Sequence, residues 1–347
     1  MDATKLVVAA DHEIIVVNFG YRVGPFGFLA SKEVEADGDL NNGMLDQRKV
    51  LQWVQKHIAK FGGDPKRVTL AGSSAGSASV GIQLTAYGGR DDKLFAAVHH
   101  ESPSFGYART IKDSQYQYDA LVERVNCSSA RDTLKCLRNQ PTETIPNNNP
   151  LDIPAPGGGG GPAVFLWSSC IDGDLIRDQP FKQFAAGNYV KVPAIYGSDT
   201  NEGTVFTPHT ISNYTEMNNF LKNNWPKLTA FQLARIDFLY PKAEQFPDRG
   251  PYFRTAANAY GDLRYTCPGL YLSSKFGDDG VQNIYNYRWD VLTEANALNG
   301  DGVTHTAGVA PTWGLYLPGL QRRISVPTSS LISPVSLGHR EIPICTG

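Results

Sequence analysis

Short apolar runs rich in β-branched residues alternate along the chain with segments in which apolar residues recur at helical spacing. Residues 14–19 form a nearly continuous apolar run and predict a buried strand. In residues 45–61, side chains such as Leu51 and Val54 fall on one helical face and predict a helix. This alternation favours an α/β fold with a mostly parallel sheet flanked by helices.

Further elements follow the same two patterns. Strands are predicted at residues 67–71, 96–100, 192–196 and 283–287. Helices are predicted at residues 75–87, 177–184, 214–224, 230–238 and 255–275. Residues 145–162, rich in asparagine, proline and glycine, predict a loop. The glycine run in this loop lacks the Lys-Ser or Lys-Thr that follows in a phosphate-binding loop.

The charge balance argues against two classes of partner. The 347 residues include 32 Lys and Arg against 34 Asp and Glu, a net charge of −2, and no basic run that would bind nucleic acid or an anionic membrane. No apolar stretch is long enough for stable insertion across a bilayer. A small-molecule or lipid substrate suits this composition better, whereas nothing in the sequence predicts the oligomeric state.

One short motif indicates nucleophilic chemistry. Residues 72–76 read Gly-Ser-Ser-Ala-Gly, which matches the Gly-x-Ser-x-Gly nucleophile elbow. Chance alone would give roughly 0.2 such matches in this chain, so the pattern by itself is weak. Its context strengthens it, because a predicted strand precedes Ser74 and a predicted helix of small residues follows. Ser74 is therefore predicted to be a nucleophile, with the helix N-terminus stabilising the developing negative charge.

Longer stretches around this motif resemble a known family. Residues 61–76 (FGGDPKRVTLAGSSAG), 18–29 (NFGYRVGPFGFL) and 42–47 (NGMLDQ) are similar to the type-B carboxylesterase/lipase family, the cholinesterase-like branch of the α/β-hydrolases. Within this family, the sequence most resembles secreted fungal esterases and lipases. The resemblance implies an α/β-hydrolase fold and ester hydrolysis through a Ser-His-Glu triad and an acyl-enzyme, with no metal and no cofactor. Ser73 stands where the family most often has glutamate. This difference is expected to modify the activity of the site without abolishing it.

The resemblance also implies a base and an acid for Ser74. The chain order in this fold is serine, acid, histidine, and His305 lies in a loop that resembles the family's base-bearing loop. Residues 197–204 resemble the strand-end loop that carries the acid, which maps to Glu202. Asp199 is the alternative acid, because many α/β-hydrolases outside this branch use aspartate.

Two more groups are expected to assist the triad. The N–H of Ala75, directly after the nucleophile, is predicted to donate to the oxyanion. Ser102 resembles a family position whose hydroxyl supports the acid. The resemblance implies further oxyanion donors in a His-Gly-Gly-Gly-type loop before the strand predicted at residues 14–19.

We expect this chain to lack that loop and the first strands of the fold, and thus to be an N-terminally truncated fragment. Residues 1–320 would then form a partial α/β-hydrolase domain, and the Ser- and Pro-rich residues 321–347 an atypical, disordered tail. Weak ester hydrolysis is expected from such a fragment. A catalytically inactive fragment and a non-catalytic cholinesterase-like binding domain stay as alternatives.

Some features indicate secretion. The spacing of Cys127 and Cys136 resembles that of a family disulfide, and Asn126 and Asn213 begin N-glycosylation sequons. The family resemblance therefore implies a secreted glycoprotein. The first residues of the chain, however, do not contain the apolar core of a signal peptide.

Overall fold

Strands occur in two sheets of the computed structural model, which describes residues 2–314 of the chain. The strands are β1 (Thr69–Ser73), β2 (Ala97–Glu101), β3 (Arg109–Thr110), β4 (Cys170–Ile171), β5 (Ala194–Asp199) and β6 (Ile284–Trp289). The central sheet has the order β1-β2-β5-β6, and each neighbouring pair is parallel. Strands β3 and β4 form a separate parallel pair.

Helices connect these strands, as parallel neighbours require. They are α1 (Thr4–Ala9), α2 (Gly24–Phe28), α3 (Lys32–Asp37), α4 (Asn42–His57), α5 (Ala75–Gly89), α6 (Ile111–Arg124), α7 (Thr133–Arg138), α8 (Thr144–Asn147), α9 (Pro180–Ala185), α10 (Tyr214–Asn224), α11 (Ala230–Leu239), α12 (Phe253–Gly261), α13 (Cys267–Asp278), α14 (Glu294–Asn299) and α15 (Val309–Thr312). A π-helical turn, Asp262–Thr266, joins α12 to α13. Within residues 2–314, no helix combines the length and apolar composition needed to cross a bilayer.

The main core lies between the central sheet and helices α5, α9 and α13. Val98 and Tyr196 from the strands belong to one buried cluster with Leu84, Phe184 and Phe276 from the helices. Full burial of each such apolar side chain stabilises the fold by about 1.5–3 kcal/mol. The cluster therefore fixes the sheet against the helices and holds the strand ends that carry the site.

Smaller buried clusters extend this core, and two of them concern predicted features or the candidate site. One lies around α6 and α7 and contains the disulfide Cys127–Cys136, whose Cα atoms are 5.7 Å apart. The other joins α10 to α12 and includes the buried Tyr260 and Tyr265. The disulfide predicted from the family resemblance is thus confirmed.

Most predicted elements are present, with boundaries shifted by a few residues, but the strand predicted at residues 14–19 is wrong. Among residues 2–314 this segment pairs with no strand, and its apolar side chains except Val16 are 36–46% exposed, namely Ile14, Ile15, Val17 and Phe19. An apolar run becomes a strand only where a neighbour supplies hydrogen bonds to its backbone. Strand β1, to which it could have paired, forms the edge of the described sheet. Residues 321–347 lie outside the described residues.

Candidate active site

Ser74 occupies a sharp turn between β1 and α5. Its backbone has φ 57° and ψ −116°, a conformation that costs strain in a non-glycine residue. The turn is held by a hydrogen bond from the Ser74 N–H to the carbonyl of Glu101 in the next strand, at 2.9 Å. A Cβ atom at Gly72 would lie 2.3 Å from the Gly76 carbonyl carbon, so glycine at position 72 lets the two arms of the turn pass closely. The strand-turn-helix context predicted for Ser74 is therefore present.

A buried hydrogen bond links the other two predicted triad residues. His305 Nδ1 lies 2.5 Å from Glu202 Oε2, and the two residues are 8% and 2% exposed. The rings of Tyr265 and Phe206 flank the imidazole at centroid distances of 4.4 and 5.0 Å. With Nδ1 donating to the carboxylate, Nε2 is the acceptor nitrogen of a neutral ring. Nε2 is buried and finds no hydrogen-bond partner among residues 2–314.

Backbone hydrogen bonds tie the loop of Glu202 to the loop of His305. The Asn201 N–H donates to the Val303 carbonyl at 2.8 Å, and the Val303 N–H donates to Asn201 Oδ1 at 2.8 Å. A parallel bridge also pairs Asn201 with Thr304. Because these bonds fix the two loops relative to each other, the backbones that carry Glu202 and His305 are held at the distance at which their side chains meet. The bridging role of Asn201 was not predicted from the sequence, because no sequence motif identifies a side-chain amide that links two loops.

Asp199, the alternative acid, lies beside this pair, but its carboxylate accepts hydrogen bonds from other residues. Its Oδ1 accepts the N–H of Gly308 at 3.0 Å, and its Oδ2 accepts from Ser102 Oγ at 3.4 Å. Burial, reinforced by the charge of Glu202, raises the pKa of Asp199 to about 7. The structure therefore brings Glu202, and not Asp199, onto His305. Ser102 contacts the alternative acid and not Glu202 itself.

The nucleophile and the pair lie at the same edge of the sheet. Register pairs Ser73 with Glu101 and Glu101 with Gly197, so the carboxyl ends of β1, β2 and β5 are aligned. Ser74 follows the first of these strands, and Glu202 follows the last. No hydrogen bond joins Ser74 Oγ to His305 within the described residues. Such bonds are often long in unliganded sites and shorten when substrate binds.

A cavity of about 260 Å³ opens above Ser74 and Ala75. Most of its wall is apolar or aromatic, including Phe105, Phe165 and Trp167. Ala75 is the first residue of α5, where backbone N–H groups have no partner within the helix. The cavity therefore adjoins both the Ser74 side chain and the N-terminus of α5. Ser73 Oγ is buried nearby without a hydrogen-bond partner among the described residues.

The chain is similar to several known proteins. A model of the carboxylesterase family matches residues 1–321. Secreted lipase 4 of Gibberella zeae is 32% identical over 339 residues, which cover 90% of this chain and 58% of that protein. Lipase 2 of Geotrichum candidum is 34% identical over 337 residues, covering 87% of this chain and 54% of that protein.

A solved structure shows the same architecture. The crystal structure of EstA from Aspergillus niger superposes with a TM-score of 0.87 and 40% identity, covering 92% of this chain and 62% of EstA. The chain spans little more than half the length of the curated relatives that it matches. The family match over residues 1–321 and the structural match show that this chain belongs to the carboxylesterase family and has the α/β-hydrolase fold.

Proposed function

We propose that this chain carries the catalytic groups of a carboxylic-ester hydrolase, with Ser74 as nucleophile, His305 as base and Glu202 as acid. The observation that supports this most is the buried His305–Glu202 pair, whose Nε2 is left as an unsatisfied acceptor. A buried nitrogen without a partner costs free energy unless a ligand or a reacting group uses it. The hydroxyl of Ser74, at the same sheet edge, supplies that group.

The reaction follows from these atoms. Ser74 Oγ attacks the ester carbonyl while His305 Nε2 takes the hydroxyl proton. The oxyanion accepts a hydrogen bond from the Ala75 N–H, and the Glu202 carboxylate stabilises the imidazolium. The imidazolium then protonates the leaving alcohol, which gives the acyl-enzyme. His305 then deprotonates a water molecule, which attacks the acyl carbonyl, and the imidazolium returns this proton to Ser74 Oγ as the carboxylic acid leaves.

Ester substrates with an apolar portion fit the cavity best. Its aromatic and aliphatic wall would bury a short to medium hydrocarbon segment beside Ser74. The relatives named above include proteins called lipases, which supports an esterase or lipase activity without deciding between the two.

Secretion belongs to the same proposal. Several relatives are named secreted lipases, and the disulfide Cys127–Cys136 suits an oxidising compartment. Asn126 and Asn213, which begin the two sequons, are both exposed and so accessible to glycosylation.

Covalent labelling tests the nucleophile directly. A fluorophosphonate probe should label the protein once, and tryptic mapping should place the label on Ser74. Ser74→Ala should abolish labelling, whereas Ser169→Ala, which removes another hydroxyl from the cavity wall, should label like the wild type. Labelling that persists in Ser74→Ala would refute the nucleophile. A folded wild-type protein that does not label would favour a non-catalytic binding domain.

A further inference from the structure

The wall of the cavity above Ser74 carries a net positive charge. The described residues of this wall include two arginines, Arg109 and Arg264, and no Asp, Glu or Lys. Neither guanidinium makes an ion pair with a carboxylate within residues 2–314. A buried or half-buried cation in an apolar setting is costly unless it is compensated. The two charges therefore make the cavity attractive to an anion.

Arg264 is held in place against the cavity wall. It lies in the π-helical turn between α12 and α13, a type of distortion that occurs frequently at functional sites. Its Nε donates to Ser104 Oγ at 3.1 Å, and its guanidinium stacks over the ring of Phe165 at 4.8 Å. Gly106 leaves room for the guanidinium, because a Cβ atom there would lie 2.8 Å from Nη1. These contacts fix the orientation of the charge without neutralising it.

Arg109 adds a second fixed charge. It is only 5% exposed, and its Nη1 donates to the carbonyl of Leu166 at 3.3 Å and to Ser168 Oγ at 3.4 Å. Both acceptors are neutral. Asp113, the acidic residue nearest in sequence, instead bonds to Lys227 at 3.2 Å and to a tyrosine hydroxyl at 2.9 Å. The charge of Arg109 thus lies in the wall of the cavity without a carboxylate partner among residues 2–314, and the low dielectric of the apolar wall strengthens its potential.

We propose that this cavity binds esters whose acyl chain ends in a carboxylate, with Arg264 as the group that recognises it. A guanidinium pairs with a carboxylate through two parallel N–H donors, and such charge-assisted bonds are stronger than those between neutral groups. The apolar wall accommodates the methylene spacer, and the ester carbonyl then reaches Ser74. The preferred substrates are half-esters of dicarboxylic acids. This inference rests on the proposed ester hydrolysis at Ser74.

Binding and turnover together test the proposal. Monomethyl adipate and methyl hexanoate have similar acyl length and differ in the terminal carboxylate. Calorimetry with the Ser74→Ala variant should show tighter binding of monomethyl adipate, by about 10–100-fold, the range typical of a hydrogen-bonded charge. This measurement needs no turnover, so it separates substrate recognition from the proposed catalysis. Equal binding, or preference for the neutral ester, would overturn the proposal.

Substitution of Arg264 identifies the responsible side chain. In Arg264→Met, which keeps most of the length and loses the charge, the ratio of kcat/KM for the half-ester to that for the neutral ester should fall about 10–100-fold. Arg264→Lys should retain a large part of the ratio, since it keeps the charge and loses only the planar fork. If Arg264→Met fails to fold, Arg264→Gln provides the uncharged comparison. An unchanged ratio in the folded uncharged variant would show that Arg264 does not recognise the carboxylate.

Discussion

Replacing Glu202 by glutamine should remove nearly all ester hydrolysis, because the site leaves the new amide a single orientation. Glu202 Oε1 accepts the Asp199 backbone N–H at 2.8 Å, and Oε2 lies 2.5 Å from His305 Nδ1. In Glu202→Gln the amide oxygen must stay on that N–H, so the amide NH₂ faces Nδ1. Nδ1 then has to accept, and the imidazole proton moves to Nε2, the atom that should take the proton of Ser74.

The expected loss is large. The wrong tautomer has no basic nitrogen toward Ser74, and the amide cannot stabilise an imidazolium. The corresponding change of acid to amide in a Ser-His-Asp enzyme lowers kcat by about 10⁴, and a fall of about 10³–10⁴ is expected here. Because Glu202 is only 2% exposed, water cannot take over the role of the missing charge. The fold should be kept, since both hydrogen bonds retain a donor and an acceptor.

Asp199→Asn is the matched control, because it makes the same chemical change one hydrogen bond away. The asparagine Oδ1 can still accept the Gly308 N–H, as Asp199 does at 3.0 Å. Its amide NH₂ can donate to Ser102 Oγ, the present partner of Asp199 at 3.4 Å. The backbone N–H that holds Glu202 is unaffected. We therefore expect less than about tenfold change in kcat.

Steady-state hydrolysis of p-nitrophenyl butyrate gives kcat for both variants, and titration with a fluorophosphonate corrects for the fraction of competent sites. Thermal melts separate loss of fold from loss of chemistry. The tautomer argument is refuted if folded Glu202→Gln retains kcat within tenfold of the wild type. The acid is misplaced if Asp199→Asn proves the more damaging change.

Two further predictions concern stability. Replacing both Cys127 and Cys136 by alanine opens a loop with a sequence separation of 9 and should lower the free energy of unfolding by about 2.7 kcal/mol in urea titrations. An unchanged midpoint would contradict this. Because burial raises the pKa of Asp199 from 3.8 to about 7, the wild type should lose stability as pH rises between these values, by about 4 kcal/mol at most. Asp199→Asn, which mimics the neutral acid, should gain in melting temperature over the wild type from pH 4 to 7, and a constant difference would refute the shift.

Helices with clear local signals could be predicted closely from the sequence. Residues 214–224 were predicted as a helix, and α10 spans Tyr214–Asn224. The reason is local: the Asn213 side chain caps the first turn by accepting from the Glu216 N–H, and Met217 and Leu221 form the buried face. The same holds for the elbow, where Gly72 is required by its close contact with the backbone of Gly76, four residues later.

Elements that depend on distant partners could not be predicted in this way. Residues 14–19 have the composition of a buried strand, but a strand also needs a hydrogen-bonding neighbour, which no local pattern specifies. Residues 255–275 were predicted as one helix, whereas the structure has α12, a π-helical turn and α13. The widened turn alters the helical phase, so the face on which Arg264 lies could not be obtained from an uninterrupted 3.6-residue period.

The candidate site combines both kinds of information. Ser74, Glu202 and His305 could be proposed from the sequence because each resembles a motif whose residues are close in sequence. The environment of the cavity depends instead on Arg109 and Arg264, which come from different elements and face the same space only after folding. We therefore expect reaction chemistry and substrate preference to depend on separable residues. A change at Arg264 should alter which ester is preferred, while a change at Glu202 should lower turnover for every ester alike.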